Sequence, residues 1–150
     1  MATIGEAAPD FSLTDQHGSA VSLADQRGHR TLVFFYPKAN TSGCTTQACG
    51  LRDVAGDIGD VAILGISPDS PTKQLNWDEK HSLGFPLLSD PDHAVAEAYG
   101  AWGRKKLYGK EYDGIIRSAY LIDADGVIEQ AWPKISPKDT PTKLLAALEE

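Results

Sequence analysis

A chain of 150 residues, 41% hydrophobic and 23% charged, is long enough to bury about two-thirds of the surface its unfolded form exposes. Folding therefore needs neither a disulfide framework nor a structural metal, and the composition argues against both disorder and membrane spans. The formal net charge of −7 argues against phosphate-backbone binding, which requires clustered Lys and Arg.

The opening MATIGEAAPDF has no basic start and no apolar run, so no secretory signal or transmembrane segment is expected and the default compartment is the cytoplasm. "DFSLTD" and "AVSLAD" read as two short strands, an N-terminal hairpin around His17-Gly18,. "TLVFFYP" is a continuous apolar run suited to a central strand covered on both faces,. "SGCTTQACGLRDVAG" follows as a helix with Thr41 or Ser42 as N-cap and Gly56 near its end, and "VAILGIS" as a second buried strand,. "SPTKQLNWDEKHSLG" opens with Ser70 before Pro71 and closes at Gly84, which predicts a further helix,. After a short helical piece, "DHAVAEAYG", the stretch from Ala101 to Gly114 reads as an irregular loop, with Arg104-Lys105-Lys106 a solvated run,. "RSAYLID-ADG-VIEQAW" predicts a hairpin turning on Asp125-Gly126, and "SPKDTPTKLLAALEE" a closing helix with Pro141 in its first turn,. The order implies one α/β domain over residues 1–150, a central mixed sheet flanked by helices, without repeats or linkers,.

Both cysteines, Cys44 and Cys49, lie in "FYPKANTSGCTTQAC". In a reducing compartment such a pair is more readily catalytic than structural. A thioredoxin-type dithiol has two intervening residues, whereas this pair has four. His17, His29, His81 and His93 show no zinc-ligand spacing, so no metal site is expected,. On one regular helix, five residues give a Cα separation of roughly 8.5 Å, beyond the ~4.4–6.8 Å of a disulfide. The thiols then bond only if the helix unwinds, unless the helix begins later. In a first turn, free amides and the positive pole of the helix favour an anion at Cys44. An inert buried thiol is the competing reading, and the residues alone leave both open.

The pattern Pro37-x-x-x-Thr41-x-x-Cys44 resembles the active-site signature of the peroxiredoxins, thiol peroxidases with a thioredoxin-like fold. The second cysteine in "CTTQAC" is similar to the bacterioferritin comigratory protein, or peroxiredoxin Q, subfamily of atypical two-cysteine type. Further similar segments, "APDFSLTDQHG", "VAILGISPDSP", "FPLLSD" and "GIIRSAYLID", extend the likeness over nearly the whole chain. The resemblance implies that Cys44 is the peroxidatic cysteine and Cys49 the resolving one. It also implies that Thr41 holds thiolate and peroxide, that Pro37 shields the site, and that Arg117 reaches it from a distant strand end. It implies no cofactor, a thioredoxin or glutaredoxin-like reductant, and a monomer. One departure is Ser42, where the subfamily commonly has proline; serine restores an N–H and loosens φ,.

The implied chemistry is attack of a thiolate on a peroxide oxygen, leaving a sulfenic acid on Cys44. An unperturbed thiol of pKa about 8.5 is about 3% ionised at pH 7, so complete ionisation contributes only about 2 kcal/mol. The rest must come from orienting the peroxide and polarising its O–O bond. Thr41, Arg117 and the backbone amides of Gly43 and Cys44 are donors of the right kind. Arg117 as a plain surface residue and Thr41 as a simple cap are the blander readings. Gln47 either helps hold the loop or is solvated. Trp77, Trp102 and Trp132 read as packing groups rather than cofactor contacts, with Trp102, in the long stretch, the best placed of the three to flank the site and no role assigned to any of them. The rival functions are a thioredoxin-fold protein disulfide oxidoreductase, a copper metallochaperone and an inactive interaction module. The first expects a two-residue spacing and a cis-proline facing the motif, the second a three-residue spacing and a dedicated histidine, and the third gives Thr41, Cys44 and Arg117 no reason to coexist.

Overall fold

The computed structural model describes residues 2–148. β1 (Ser12–Thr14) and β2 (Ala20–Ser22) pair antiparallel around a turn in which the Asp15 carboxylate accepts from the amides of His17 and Ser19. β3 (Arg30–Phe35) leads into α1 (Ser42–Val54), and β4 (Val61–Ser67) into α2 (Pro71–His81). The Ser70 hydroxyl accepts from the Lys73 amide and caps α2,. This helix ends one turn earlier than Gly84 suggests, with Ser82 in the left-handed conformation at φ 50°. β5 (Leu87–Ser89) and α3 (Ala94–Tyr99) follow, then β6 (Trp102–Leu107), β7 (Lys110–Ile115), β8 (Ser118–Ile122), β9 (Ile128–Trp132) and α4 (Asp139–Leu148). Glu149 and Glu150, the end of the expected closing helix, lie outside the described residues.

Seven strands form one sheet in the order β2-β1-β5-β4-β3-β8-β9, and β6 pairs with β7 in a separate hairpin. β3 is parallel to β4 and antiparallel to β8, so the sheet is mixed, as expected. The period of two on β3 explains its continuous apolar run. Leu32 and Phe34 enter a core with Leu51 of α1, Trp77 of α2 and Leu144 of α4. Val33 and Phe35 enter the opposite core with Tyr99 of α3 and Tyr120 of β8. Both faces are covered, which holds β3 rigidly at the centre. No helix of the described residues is long and apolar enough to cross a membrane.

Two segments differ from the sequence reading. Residues 101–114 are not an irregular loop: β6 and β7 pair over six residues each and turn on Tyr108-Gly109, both at positive φ (51° and 78°). The hairpin carries glycines paired across its strands, Gly103 with Gly114, and exposed charges along β7. It therefore lacks the apolar alternation that marks a strand. β5, absent from the expected order of elements, is three buried residues parallel to β4, too short to show a period.

Gly65 of β4 lies where a Cβ would stand 2.9 Å from Phe34 Cζ and 3.0 Å from Tyr36 Cε1. Gly65→Ala is therefore expected to cost about 1–3 kcal/mol through overpacking. Urea titration should show a lower midpoint with an unchanged slope; an unchanged midpoint would contradict this packing.

Candidate active site

The end of β3 delivers Tyr36 and Pro37 to the head of α1. Tyr36 is fully buried and its hydroxyl donates to Gln74 Oε1 (2.6 Å). Burial pushes its phenol far above the usual tyrosine range, partly opposed by hydrogen bonds with Ser67 and Gln74, so it stays neutral. Half-buried Pro37 starts the connecting loop, in which Asn40 takes a left-handed φ of 64° and the Ala39 amide donates to Asp69 Oδ2 (2.7 Å). Thr41 is extended (φ −96°, ψ 158°) and is the N-cap residue. Its hydroxyl donates back to the Lys38 carbonyl (2.8 Å) instead of capping the helix, which leaves its oxygen lone pairs as acceptors. Ser42 is the first helical residue. There the N–H has no intrahelical partner, so serine and proline suit the position equally in hydrogen bonding.

Cys44 follows in the first turn of α1, fully buried. Opposite it stands Arg117, between β7 and β8. The pairing of Ser118 with Phe35 anchors this segment beside the end of β3. Nη2 of Arg117 donates to Cys44 Sγ (3.4 Å) and Nη1 to Gln47 Oε1 (2.7 Å). Gly43 makes room for this approach, because a Cβ there would lie 3.2 Å from Arg117 Nη2. Gln47, also fully buried, donates from Nε2 to Thr140 Oγ1 (3.0 Å), and the Thr140 hydroxyl donates to the Ser136 carbonyl (2.9 Å). One chain of hydrogen bonds thus ties the sulfur through Arg117 and Gln47 to α4.

The structure brings together Cys44, Gly43, Arg117 and Gln47, with Thr41 and Pro37 in the adjoining loop. Cys49 lies further along the same unbroken helix, half-buried against the core. Both cysteines are free thiols. At helical spacing their Cα atoms stand roughly 8.5 Å apart. The Trp102 ring stacks on His93 at a centroid distance of 3.7 Å. The tryptophan against the cysteine helix is Trp77, whose Nε1 donates to Thr45 Oγ1 (3.1 Å). The sequence leaves Gln47 between holding the loop and lying in solvent; its i, i+3 spacing from Cys44 puts both on one helix face, and the structure buries it, while no local signal marks Thr140. Lys105, assigned from sequence to a solvated run, is half-buried on β6. Burial, then the Arg117 charge, pulls its pKa down against an opposing pull from Cys44. Among the described residues, no group of three or more His, Cys, Asp or Glu is placed to hold a metal ion.

A buried thiol in the first turn of the helix that follows the central strand, faced by an arginine, defines a thiol-based redox enzyme of thioredoxin-like fold. Comparison with known proteins gives the family. A sequence model of the AhpC/TSA family matches residues 4–131. Over 139 residues the chain is 52% identical to a putative peroxiredoxin Bcp of Haemophilus influenzae, covering 91% of this chain and 90% of that one. Over 130 residues it is 55% identical to peroxiredoxin Bcp of Escherichia coli, covering 85% and 83%. Among solved structures, the bacterioferritin comigratory protein of Xanthomonas campestris superposes with a TM-score of 0.89 at 33% identity, covering 99% of this chain and 98% of that one. A cysteine-to-serine variant of Xylella fastidiosa peroxiredoxin Q gives 0.92 at 25%, covering 99% and 96%. The chain belongs to the AhpC/TSA family, as a peroxiredoxin of the Bcp or peroxiredoxin Q type. It is a thiol-dependent peroxidase, with a peroxide as substrate and a reductant to restore its thiol.

Replacing Gln47 by leucine removes an acceptor from Arg117 and a donor from Thr140 at a fully buried position. Gln47→Leu should lower stability by about 1–3 kcal/mol, read from the urea midpoint. A wild-type midpoint would show that the chain of bonds to α4 carries no weight.

Proposed function

We propose that Cys44 is the peroxidatic cysteine, that Cys49 resolves it, and that the cycle reduces hydrogen peroxide and organic hydroperoxides. The observation that carries this reading is the 3.4 Å contact from Arg117 Nη2 to Cys44 Sγ in the first turn of α1. A guanidinium at that distance stabilises negative charge on sulfur and, as the reaction proceeds, on the peroxide oxygens. The Cys44 thiolate attacks one peroxide oxygen, the O–O bond breaks, and the leaving oxygen takes a proton as water or alcohol. The other oxygen stays on sulfur as the sulfenic acid. Thr41 Oγ1 accepts from the peroxide while its hydroxyl donates to the Lys38 carbonyl,, the amides of Gly43 and Cys44 add donors, and Pro37 limits water at the loop. The alkyl peroxide reduction named for the Xanthomonas campestris protein supports organic hydroperoxides as substrates.

In the second half of the cycle, the first turns of α1 unwind and the Cys49 thiol attacks the sulfenic sulfur. Water leaves and an intramolecular disulfide forms. A thioredoxin or glutaredoxin-like dithiol then reduces it by exchange. The same reading has the protein acting as a single-domain monomer in the cytoplasm.

Adding one equivalent of hydrogen peroxide to the reduced protein and measuring its mass tests the cycle. Wild type should lose two hydrogens, Cys44→Ser should lose none, and Arg117→Ala should react about a hundredfold to a thousandfold more slowly. A wild type that forms no intramolecular disulfide overturns the two-cysteine cycle.

A further inference from the structure

The chain is acidic overall, yet its cations gather at one place. A hollow of about 380 Å³ beside the active-site loop is lined by Lys38, Ala39 and Asn40 and by Lys73, Trp77 and Lys80 of α2. A second hollow, of about 460 Å³, opens against Arg117 and is lined by Arg104, Lys105 and Lys106 of β6 and by Lys134. Eight of the fourteen Lys and Arg residues line these two hollows, against one carboxylate, that of Asp69. Asp69 is already engaged by the Ala39 amide and the Ser67 hydroxyl. Arg104 is drawn to Glu111 and Asp113 across the hairpin (3.8 and 3.3 Å), and Lys80 reaches only the neutral amide of Asn40 (3.5 Å). Lys73, Lys106 and Lys134 are exposed. By contrast, a larger hollow of about 510 Å³ at the other end of the sheet, beside His29 and Asp60, contains none of the site's residues.

Strand order places both cationic hollows at one end of the sheet. β3 and β4 end at Phe35 and Ser67, next to the loop and Asp69. β8 begins opposite Phe35, and β9 ends opposite Ala119. The hollows therefore flank the N-terminus of α1, whose dipole adds positive potential between them. Like charges held this close repel one another, and an acidic surface laid across them relieves that repulsion. A peroxide at Cys44 meets Arg117 but cannot span lysines on both sides of α1. The arrangement fits the footprint of a macromolecule.

We propose that the two hollows form a docking surface for an acidic protein dithiol, the reductant that returns the oxidised cysteines to thiols. This rests on the two-cysteine cycle above. One thiolate of the partner attacks a sulfur of the Cys44–Cys49 disulfide, forming a mixed disulfide and expelling the other cysteine as thiolate. The partner's second thiolate then displaces the remaining cysteine. The two released thiolates take up protons, and the partner departs as a disulfide carrying the two-electron oxidation.

The test uses the full chain in oxidised form with two probes: a thioredoxin bearing carboxylates around its dithiol, and the uncharged small dithiol dithiothreitol. A variant combining Lys73→Glu, Lys80→Glu, Lys106→Glu and Lys134→Glu should lose at least about tenfold in kcat/KM with the acidic thioredoxin. Its rate with dithiothreitol should not change. Added salt should slow the wild type with the protein probe alone. A thioredoxin whose surrounding carboxylates are replaced by lysine should favour the variant over wild type. If the reversed charges prevent folding, the four Lys→Gln changes should show the same selectivity at smaller size. Equal kcat/KM for wild type and variant with the acidic thioredoxin overturns the proposal, as does an equal loss with both probes. Failure of the underlying cycle reads differently, as a wild type that forms no disulfide to reduce with either probe.

Discussion

The Arg117 guanidinium meets the Cys44 sulfur in the first turn of an unbroken α1. The guanidinium is aimed by Gln47, one turn along the same helix, and Gln47 is anchored to Thr140 on α4. Gly43 keeps the approach open, and close packing of Gly50 against Pro141, where a Cβ would lie 3.0 Å from Cγ, fixes α1 on α4. An intact helix is thus one condition for the sulfur to face its arginine. By helical geometry it is also the condition that holds Cys49 out of bonding reach.

In the proposed cycle these two consequences of one helix set the order of events. Peroxide reacts with the folded form, and the disulfide belongs to a form in which the first turns have opened. Opening breaks the bond from Gln47 to Arg117, worth about 1.5–3 kcal/mol as a hydrogen bond to a charged group. Each kcal/mol spent on unwinding makes the disulfide easier to reduce by about 20 mV. The packing that arranges the peroxide step therefore opposes formation of the disulfide and favours its reduction.

Much of this was legible in sequence because the deciding features are local. A continuous apolar run predicts a strand covered on both faces, and β3 is one; Ser70 before Pro71 marks the start of α2. The cysteine loop could be located from Pro37, Thr41 and Cys44. What escaped depends on contacts distant in sequence or on weak periodicity. The hairpin of β6 and β7 is written in charges and glycines, so no apolar period announces it. Thr140 lies 93 residues from Gln47 and meets it only through the packing of α1 on α4. The gathering of cations around the thiol is likewise a property of the sheet order.

The dependence on α1 is tested most directly by amide hydrogen exchange along residues 42–54, comparing the reduced protein with the protein oxidised by one equivalent of peroxide. Exchange over the first turns of α1 should be slow in the reduced form and fast in the oxidised form, with the central strand β3 unchanged in both. Equal protection of those turns in the two forms, with a Cys44–Cys49 disulfide present, would contradict it.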